Sequence, residues 1–219
     1  MKTALLIGAS GLVGMELLKK LLECDQYEKV ITVTRSPLAV VNEKLEQLVI
    51  NFDDLDKCEK LFQVDTVFCT IGTTMKKAKT KKKFFKVDFE YPVKAAKLAR
   101  EHGVSQFFIV TAMGANQHSP FFYNQVKGNV EEAIKELQFE TLYIIRPSLL
   151  LGKRNENRFG EDLGKALTGT IPFLFKGPLQ KIKPNKAAAV ANAMLQLSLK
   201  DQTGTYIIES LLIEELSTY

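Results

Sequence analysis

Thr3-Ala4-Leu5-Leu6-Ile7-Gly8-Ala9-Ser10-Gly11-Leu12-Val13-Gly14 is an apolar run that breaks on a glycine and resumes as the amphipathic stretch Met15–Glu23. An uninterrupted apolar run suits a strand covered on both faces. The leucines after the glycines fall at helical intervals. The chain therefore passes from strand to helix through G-x-x-G-x-x-G, a spacing distinct from the G-x-G-x-x-G of many dehydrogenases. Gly8 permits the tight turn, Gly11 the near approach of a phosphate and Gly14 the close packing of helix on sheet. With Ser10, Leu12 and Val13 they place backbone N–H groups at a helix N-terminus, where the pyrophosphate of a dinucleotide is expected.

Outward from this turn the same alternation repeats. Strands are expected at Thr3–Ile7, Lys29–Thr34, Gln47–Asn51, Thr66–Thr70, Gln106–Thr111, Glu140–Arg146 and Thr205–Glu209, with helices near Gly11–Glu23, Leu55–Phe62, Phe84–His102, Pro120–Leu137 and Lys186–Lys200. Gly103 reads as a residue just past a helix end, and Pro184-Asn185 as a breaker and N-cap. This is an α/β chain: a Rossmann-type, doubly wound, mainly parallel sheet of about seven strands with helices on both faces. No repeat or linker divides it, so residues 1–219 are expected to form one domain. The glycine- and proline-rich stretch Leu151–Pro178 is expected to cover a substrate.

Composition narrows the function classes. With 46% hydrophobic residues the chain can build a core without staples, and Cys24, Cys58 and Cys69 show neither disulfide nor zinc spacing. His102 and His118 are isolated, so no metal is expected. No apolar run has the length of a membrane span and no cleavable leader precedes the first strand, which points to the cytoplasm. The net charge of +5 favours phosphate-bearing ligands, although much of it lies in the run Lys76–Lys86. That run reads as a solvated basic loop leading into a helix, and nucleic acid is not the expected partner.

The second strand ends at Thr34-Arg35-Ser36, where an NAD enzyme usually offers a carboxylate to the ribose. Arg35, helped by the Ser36 hydroxyl, can instead pair with a 2′-phosphate, so NADP(H) is preferred over NAD(H). Asp53, after the third strand, is placed at the adenine edge. Ile71-Gly72-Thr73 closes the fourth strand beside the cofactor.

Tyr123-Asn124-Gln125-Val126-Lys127 is Y-x-x-x-K on an expected helix, which sets phenol and ammonium on one face a turn apart. Tyrosine ionises near pH ~10, and a neighbouring cation favours the phenolate. Tyr123 is thus the expected proton donor to a carbonyl oxygen, with Lys127 as its partner and as a holder of the nicotinamide ribose. Thr111 is the hydroxyl available at the end of the fifth strand to orient that carbonyl, since Ala112 follows it.

Taken together, the glycine turn, Arg35, Gly72-Thr73-Thr74, Val87-Asp88, Gly114-Ala115, Tyr123–Gly128 and Arg146-Pro147 resemble the Tat-interactive-protein-like branch of the atypical short-chain dehydrogenase/reductases over nearly the whole chain. The resemblance implies an NADPH-binding Rossmann domain with Tyr123 as acid/base, Lys127 and Arg35 on the cofactor, and Pro147 through Leu150, Leu149 included, beside the nicotinamide. Relatives often carry serine where this chain has Thr111-Ala112. The expected function is reduction of a small apolar or partly anionic carbonyl compound. The alternative is an NADPH-binding sensor or interaction protein with a protein partner and little turnover. Neither substrate identity, reaction direction nor oligomeric state is encoded legibly.

Overall fold

The computed structural model describes residues 1–151 and 184–217. Its centre is a parallel seven-stranded sheet in the order β3-β2-β1-β4-β5-β6-β9. The strands are β1 (Lys2–Ile7), β2 (Tyr27–Thr34), β3 (Leu45–Val49), β4 (Thr66–Cys69), β5 (Gln106–Val110), β6 (Thr141–Arg146) and β9 (Gly204–Glu209). Each expected strand is present within two residues of its expected ends. A separate two-residue ladder joins β7 (Leu150–Leu151) to β8 (Asn185–Lys186).

Alternation along each strand divides the core. Ala4, Leu6, Phe68, Phe108 and Tyr143 face the layer formed by α1 (Leu12–Glu23) and α6 (Ala187–Ser198), where Leu17, Leu18, Leu21, Val190 and Met194 are buried. Leu5, Ile7, Val67, Cys69, Phe107 and Ile109 face the opposite layer, with Ala95, Ala96 and Ala99 of α4 (Tyr91–Glu101) and Val130 and Ile134 of α5 (Phe122–Lys135). Both faces are therefore dry, which is why these strands are apolar without a polar alternate. Burial of each large aliphatic side chain here contributes roughly 1.5–3 kcal/mol.

Several local expectations change. The stretch after β3 is a 3₁₀ helix, Phe52–Phe62, kinked at Cys58, with the Asn51 side chain capping Asp53 N–H. The lysine-rich run is not a loop: it forms α2 (Met75–Ala78) and α3 (Lys81–Phe85), capped by the Thr74 and Thr80 hydroxyls. The helix expected over Phe84–His102 is continuous from Lys81 to Glu101, with α3 running through a π turn at Lys86–Glu90 into α4 and the backbone staying right-handed helical at both junctions. Gly103 does close α4, with φ +76 and its neighbour Val104 N–H bonded to Ala99 O. Asn185 is not the N-cap of α6; Lys186 holds that position without a side-chain bond. Asn185 is fully buried, accepts from Ser148 N–H and Oγ, and donates to Ser210 O and Glu214 Oε1. It thus ties the segment after β6 to α7 (Ser210–Leu216), a helix absent from the sequence reading. The stretch proposed to cover a substrate lies, beyond Leu151, outside the described residues.

Candidate cofactor and active site

The glycine turn is built as the spacing requires. Gly8 has φ +96 and its carbonyl accepts Gly11 N–H at 2.9 Å. A Cβ on Gly14 would lie 2.3 Å from Gly8 O, so any side chain there would prise α1 away from the turn. Gly11 is the N-cap, with no side-chain cap and no acidic residue in the first turn. Among the described residues the N–H groups of Leu12, Val13 and Gly14 have no hydrogen-bond partner, while Met15 N–H is the first to bond back, to Gly11 O. Three uncompensated donors at a helix N-terminus form a seat for an anion, and Ser10 is exposed beside them.

Arg35 and Ser36 are exposed just past the end of β2, and Arg35 has no ion-pair partner among the described residues. The Thr34 hydroxyl donates to Ser36 O at 2.8 Å, which fixes the bend. Asp53 is otherwise engaged: its carboxylate takes Lys86 Nζ at 2.7 Å and the Tyr91 hydroxyl at 3.0 Å, and both hydrogen bonds hold its pKa below the ordinary aspartate value. These bonds join the 3₁₀ segment to the π turn and to α4 and leave the Asp53 side chain half-exposed, so its place at an adenine edge is an expectation still to be tested by substitution.

On the other side of β1, Ile71 is buried, Gly72 exposed, and Thr73 N–H donates to Asp88 Oδ2 at 2.9 Å. Asp88 Oδ1 lies 2.7 Å from Lys127 Nζ, the two side chains being 0% and 6% exposed. The pair is a buried ion pair at the length of a charge-assisted hydrogen bond. Burial disfavours the Lys127 ammonium, but Asp88 and then Tyr123 outweigh it and hold its pKa above the usual lysine value. Tyr123, four residues earlier on α5, is 39% exposed and packs its ring 5.6 Å from that of Phe84. Phenol and ammonium therefore share one helix face, with the lysine buried and the tyrosine accessible.

Thr111 follows β5 directly, as expected, and is buried. Its hydroxyl donates to Glu131 Oε1 at 2.6 Å, and Glu131, fully buried on α5, is clasped by both Arg146 Nε at 3.0 Å and Arg146 Nη2. The hydroxyl proton is thus directed at a carboxylate, and the carbonyl-orienting role expected of Thr111 would need it to turn away. Pro147 O accepts Met113 N–H, and Leu149 is 51% exposed. Both line the same strand-end region as β5 and β6.

Asp88, Glu131 and Asn185 were missed as site-building residues. Two left a trace: Asp88 falls four residues after Phe84 on an apolar face, and Glu131 four after Lys127, each a charge at a core spacing. Asn185 left none, because its partners are distant in sequence.

A family model described as NAD(P)H-binding matches residues 8–171. The rat protein HTATIP2 is 38% identical over 175 residues, covering 78% of this chain and 72% of the relative. The protein FMP52, mitochondrial, of Meyerozyma guilliermondii is 34% identical over 192 residues, covering 86% and 83%. Among solved structures, MoeE5 in complex with UDP-glucuronic acid and NAD superposes with TM-score 0.73 at 15% identity, over 95% of this chain and 76% of that one. The oxidoreductase ylbE from Lactococcus lactis gives TM-score 0.66 at 18% identity, over 99% and 97%. At such identities the structural likeness speaks to the fold.

Proposed function

Because the chain belongs to the NAD(P)H-binding family, in its Tat-interactive-protein-like branch, we propose that it is an NADPH-dependent oxidoreductase reducing the carbonyl of a small molecule. One observation carries the reading. The three unpartnered N–H groups after β1 and the Tyr123–Lys127 face of α5 stand at one edge of the sheet, flanking the neighbouring strands β1, β4 and β5. In an open parallel sheet that is where a dinucleotide lies, at the crevice where the strand order reverses.

In this reading Leu12, Val13 and Gly14 hold the pyrophosphate, Arg35 and Ser36 the 2′-phosphate, and Lys127 the nicotinamide ribose. NADPH, when bound, supplies the hydride that adds to the carbonyl carbon. Tyr123 donates its hydroxyl proton to the carbonyl oxygen, completing the alcohol, and recovers a proton from solvent. The positive charge of Lys127 beside it offsets the transient phenolate. Tyr123→Phe should retain NADPH and lose turnover by about 100-fold or more; equal turnover in a steady-state assay would remove Tyr123 as the acid. Arg35→Ala should weaken NADPH about tenfold and leave NADH unchanged, and equal weakening of both would remove the NADP preference.

The engagement of Thr111 by Glu131 favours a second reading, an NADPH-binding sensor or regulatory protein with little turnover. Its mark would be no turnover across a broad carbonyl panel together with partner binding that changes with NADPH. We retain the cytoplasm as the compartment, to be set by fractionation against the mitochondrial designation of the yeast relatives.

A further inference from the structure

A carbonyl oxygen whose carbon takes hydride becomes an alkoxide, and the step is eased by a second hydrogen-bond donor beside the acid. In the proposed reaction Tyr123 is the acid. The groups past the end of β5 are committed elsewhere. The Thr111 hydroxyl faces Glu131 at 2.6 Å, Met113 N–H bonds Pro147 O at 2.8 Å, and Ala115 N–H bonds Ala112 O at 3.1 Å. Lys127 is held by Asp88, and Ala112 has no polar side chain.

The turn closed by Ala112 and Ala115 brings another group into place. Gly114, exposed and at φ +78, lies within it. A Cβ built there would sit 3.2 Å from Asn124 Nδ2 and 3.9 Å from Asn124 Cγ. The half-buried Asn124 carboxamide therefore rests against a stretch of turn that carries no side chain of its own. The main chain of Asn124 is tied to the same loop, since its carbonyl accepts Asn116 N–H at 3.1 Å. Its side chain makes no hydrogen bond among the described residues. Nothing dictates which way the amide faces, and its two N–H groups are free to turn to an acceptor.

Asn124 follows Tyr123 on α5, where successive side chains diverge by about 100°. The sheet below matches that divergence. Lys127, on the tyrosine face, stands 3.8 Å from a Cβ built on Gly72, past the end of β4, while Asn124 stands over Gly114, past the end of β5. These strands are paired neighbours, about 4.8 Å apart. Phenol and carboxamide thus flank the crevice outside two adjacent strand ends. We infer that Asn124 is a catalytic residue, its Nδ2 donating a hydrogen bond to the carbonyl oxygen that Tyr123 protonates, in place of a hydroxyl at the end of β5. This rests on the reductase reading. Hydride from NADPH forms the new C–H bond, the Tyr123 proton forms the O–H bond, and Asn124 keeps its own protons.

The test compares two variants. Asn124→Ala removes the donor, whereas Asn124→Asp keeps the shape and sets a carboxylate against the developing alkoxide. NADPH oxidation is followed at steady state with a panel of aldehydes, ketones and quinones, hexanal and phenanthrenequinone among them, and NADPH affinity is measured by calorimetry. We expect kcat to fall about tenfold in Asn124→Ala and further in Asn124→Asp, with KM and NADPH affinity close to wild type. A packing role gives the opposite order, because aspartate is the closer fit. Unchanged kcat in both variants, an Asn124→Asp more active than Asn124→Ala, or a loss that only follows weakened NADPH overturns the donor and leaves the reductase reading standing. Wild type that binds NADPH and reduces no member of the panel removes the reductase reading and the donor with it.

Discussion

At the residue scale, the buried charges decide which hydroxyls are available for chemistry. Glu131 has no exposure, and its carboxylate is shared between Arg146 and Thr111, with Arg146 also reaching Glu209 at 3.0 Å. A carboxylate in such a place needs its partners, because breaking a buried pair costs more than the pair contributes. Thr111→Val keeps the shape of the strand residue and removes one donor, leaving Arg146 in place. We expect a loss of about 1–2 kcal/mol in urea unfolding with NADPH affinity unchanged. An unchanged midpoint together with reduced turnover would instead restore Thr111 to the carbonyl. The same reasoning shows what was legible. Tyr123 and Lys127 could be read as a pair because helical spacing alone brings them together. That Lys127 would meet Asp88 could not, since the contact joins α5 to a π turn 39 residues earlier in the chain, as 127 minus 88 gives.

At the element scale, α5 is the platform that presents the tyrosine and lysine, and its position depends on the loop that precedes it. Asn116 N–H donates to Asn124 O, and the backbone of Asn116 and Gln117 lies directly on Gly128. A Cβ on Gly128 would fall 2.1 Å from Gln117 N and 2.2 Å from Asn116 C, both main-chain atoms that cannot swing aside. Gly128→Ala should therefore lift the loop from α5, destabilise the fold by about 3 kcal/mol, and weaken NADPH through displaced Lys127. A variant with wild-type stability and affinity would show that this loop does not position the helix. Glycine at this point was visible in the sequence, but its reason was not, because the crowding comes from backbone outside the helix. The same holds for Phe84–His102. Pro92, inside the expected helix and two residues past the π turn, was visible and has no N–H to give to Asp88 O, but the apolar spacing continues through it, so periodicity reads one regular helix.

At the scale of the whole molecule, the inner strands β1, β4, β5 and β6 were legible because they are buried on both faces and apolar in consequence, while the edge strands β3 and β9, largely exposed, were legible from their short apolar runs. Their order was legible only through the glycine turn, which implies a known winding; pairing itself is long-range and leaves no local mark. That double burial also sets the response to alkali. Burial pushes the Cys69 thiol up to about 12, and raises the phenols of Tyr27 and Tyr143, while Lys127, though disfavoured by burial, is raised by Asp88 and Tyr123. In every case the folded value lies above the unfolded one. The stabilisation is then complete below the unfolded value and is lost as pH rises through the folded one, because the unfolded chain releases its proton first. For Cys69 the window opens near the ordinary thiol value of 9.0 and closes near 12, and the other three groups extend the loss above about pH 10. Stability should fall by about 1.4 kcal/mol per pH unit for each group inside its window. Urea midpoints taken from about pH 8 to about pH 11 should decline, with the first part of the slope flattened in Cys69→Ala. The alanine lowers absolute stability by leaving a cavity, so the slope and not the midpoint carries the answer. A slope between pH 9 and pH 10 that matches wild type would mean that Cys69 reaches solvent in the native protein, and that the interior behind β4 is less dry than its packing implies.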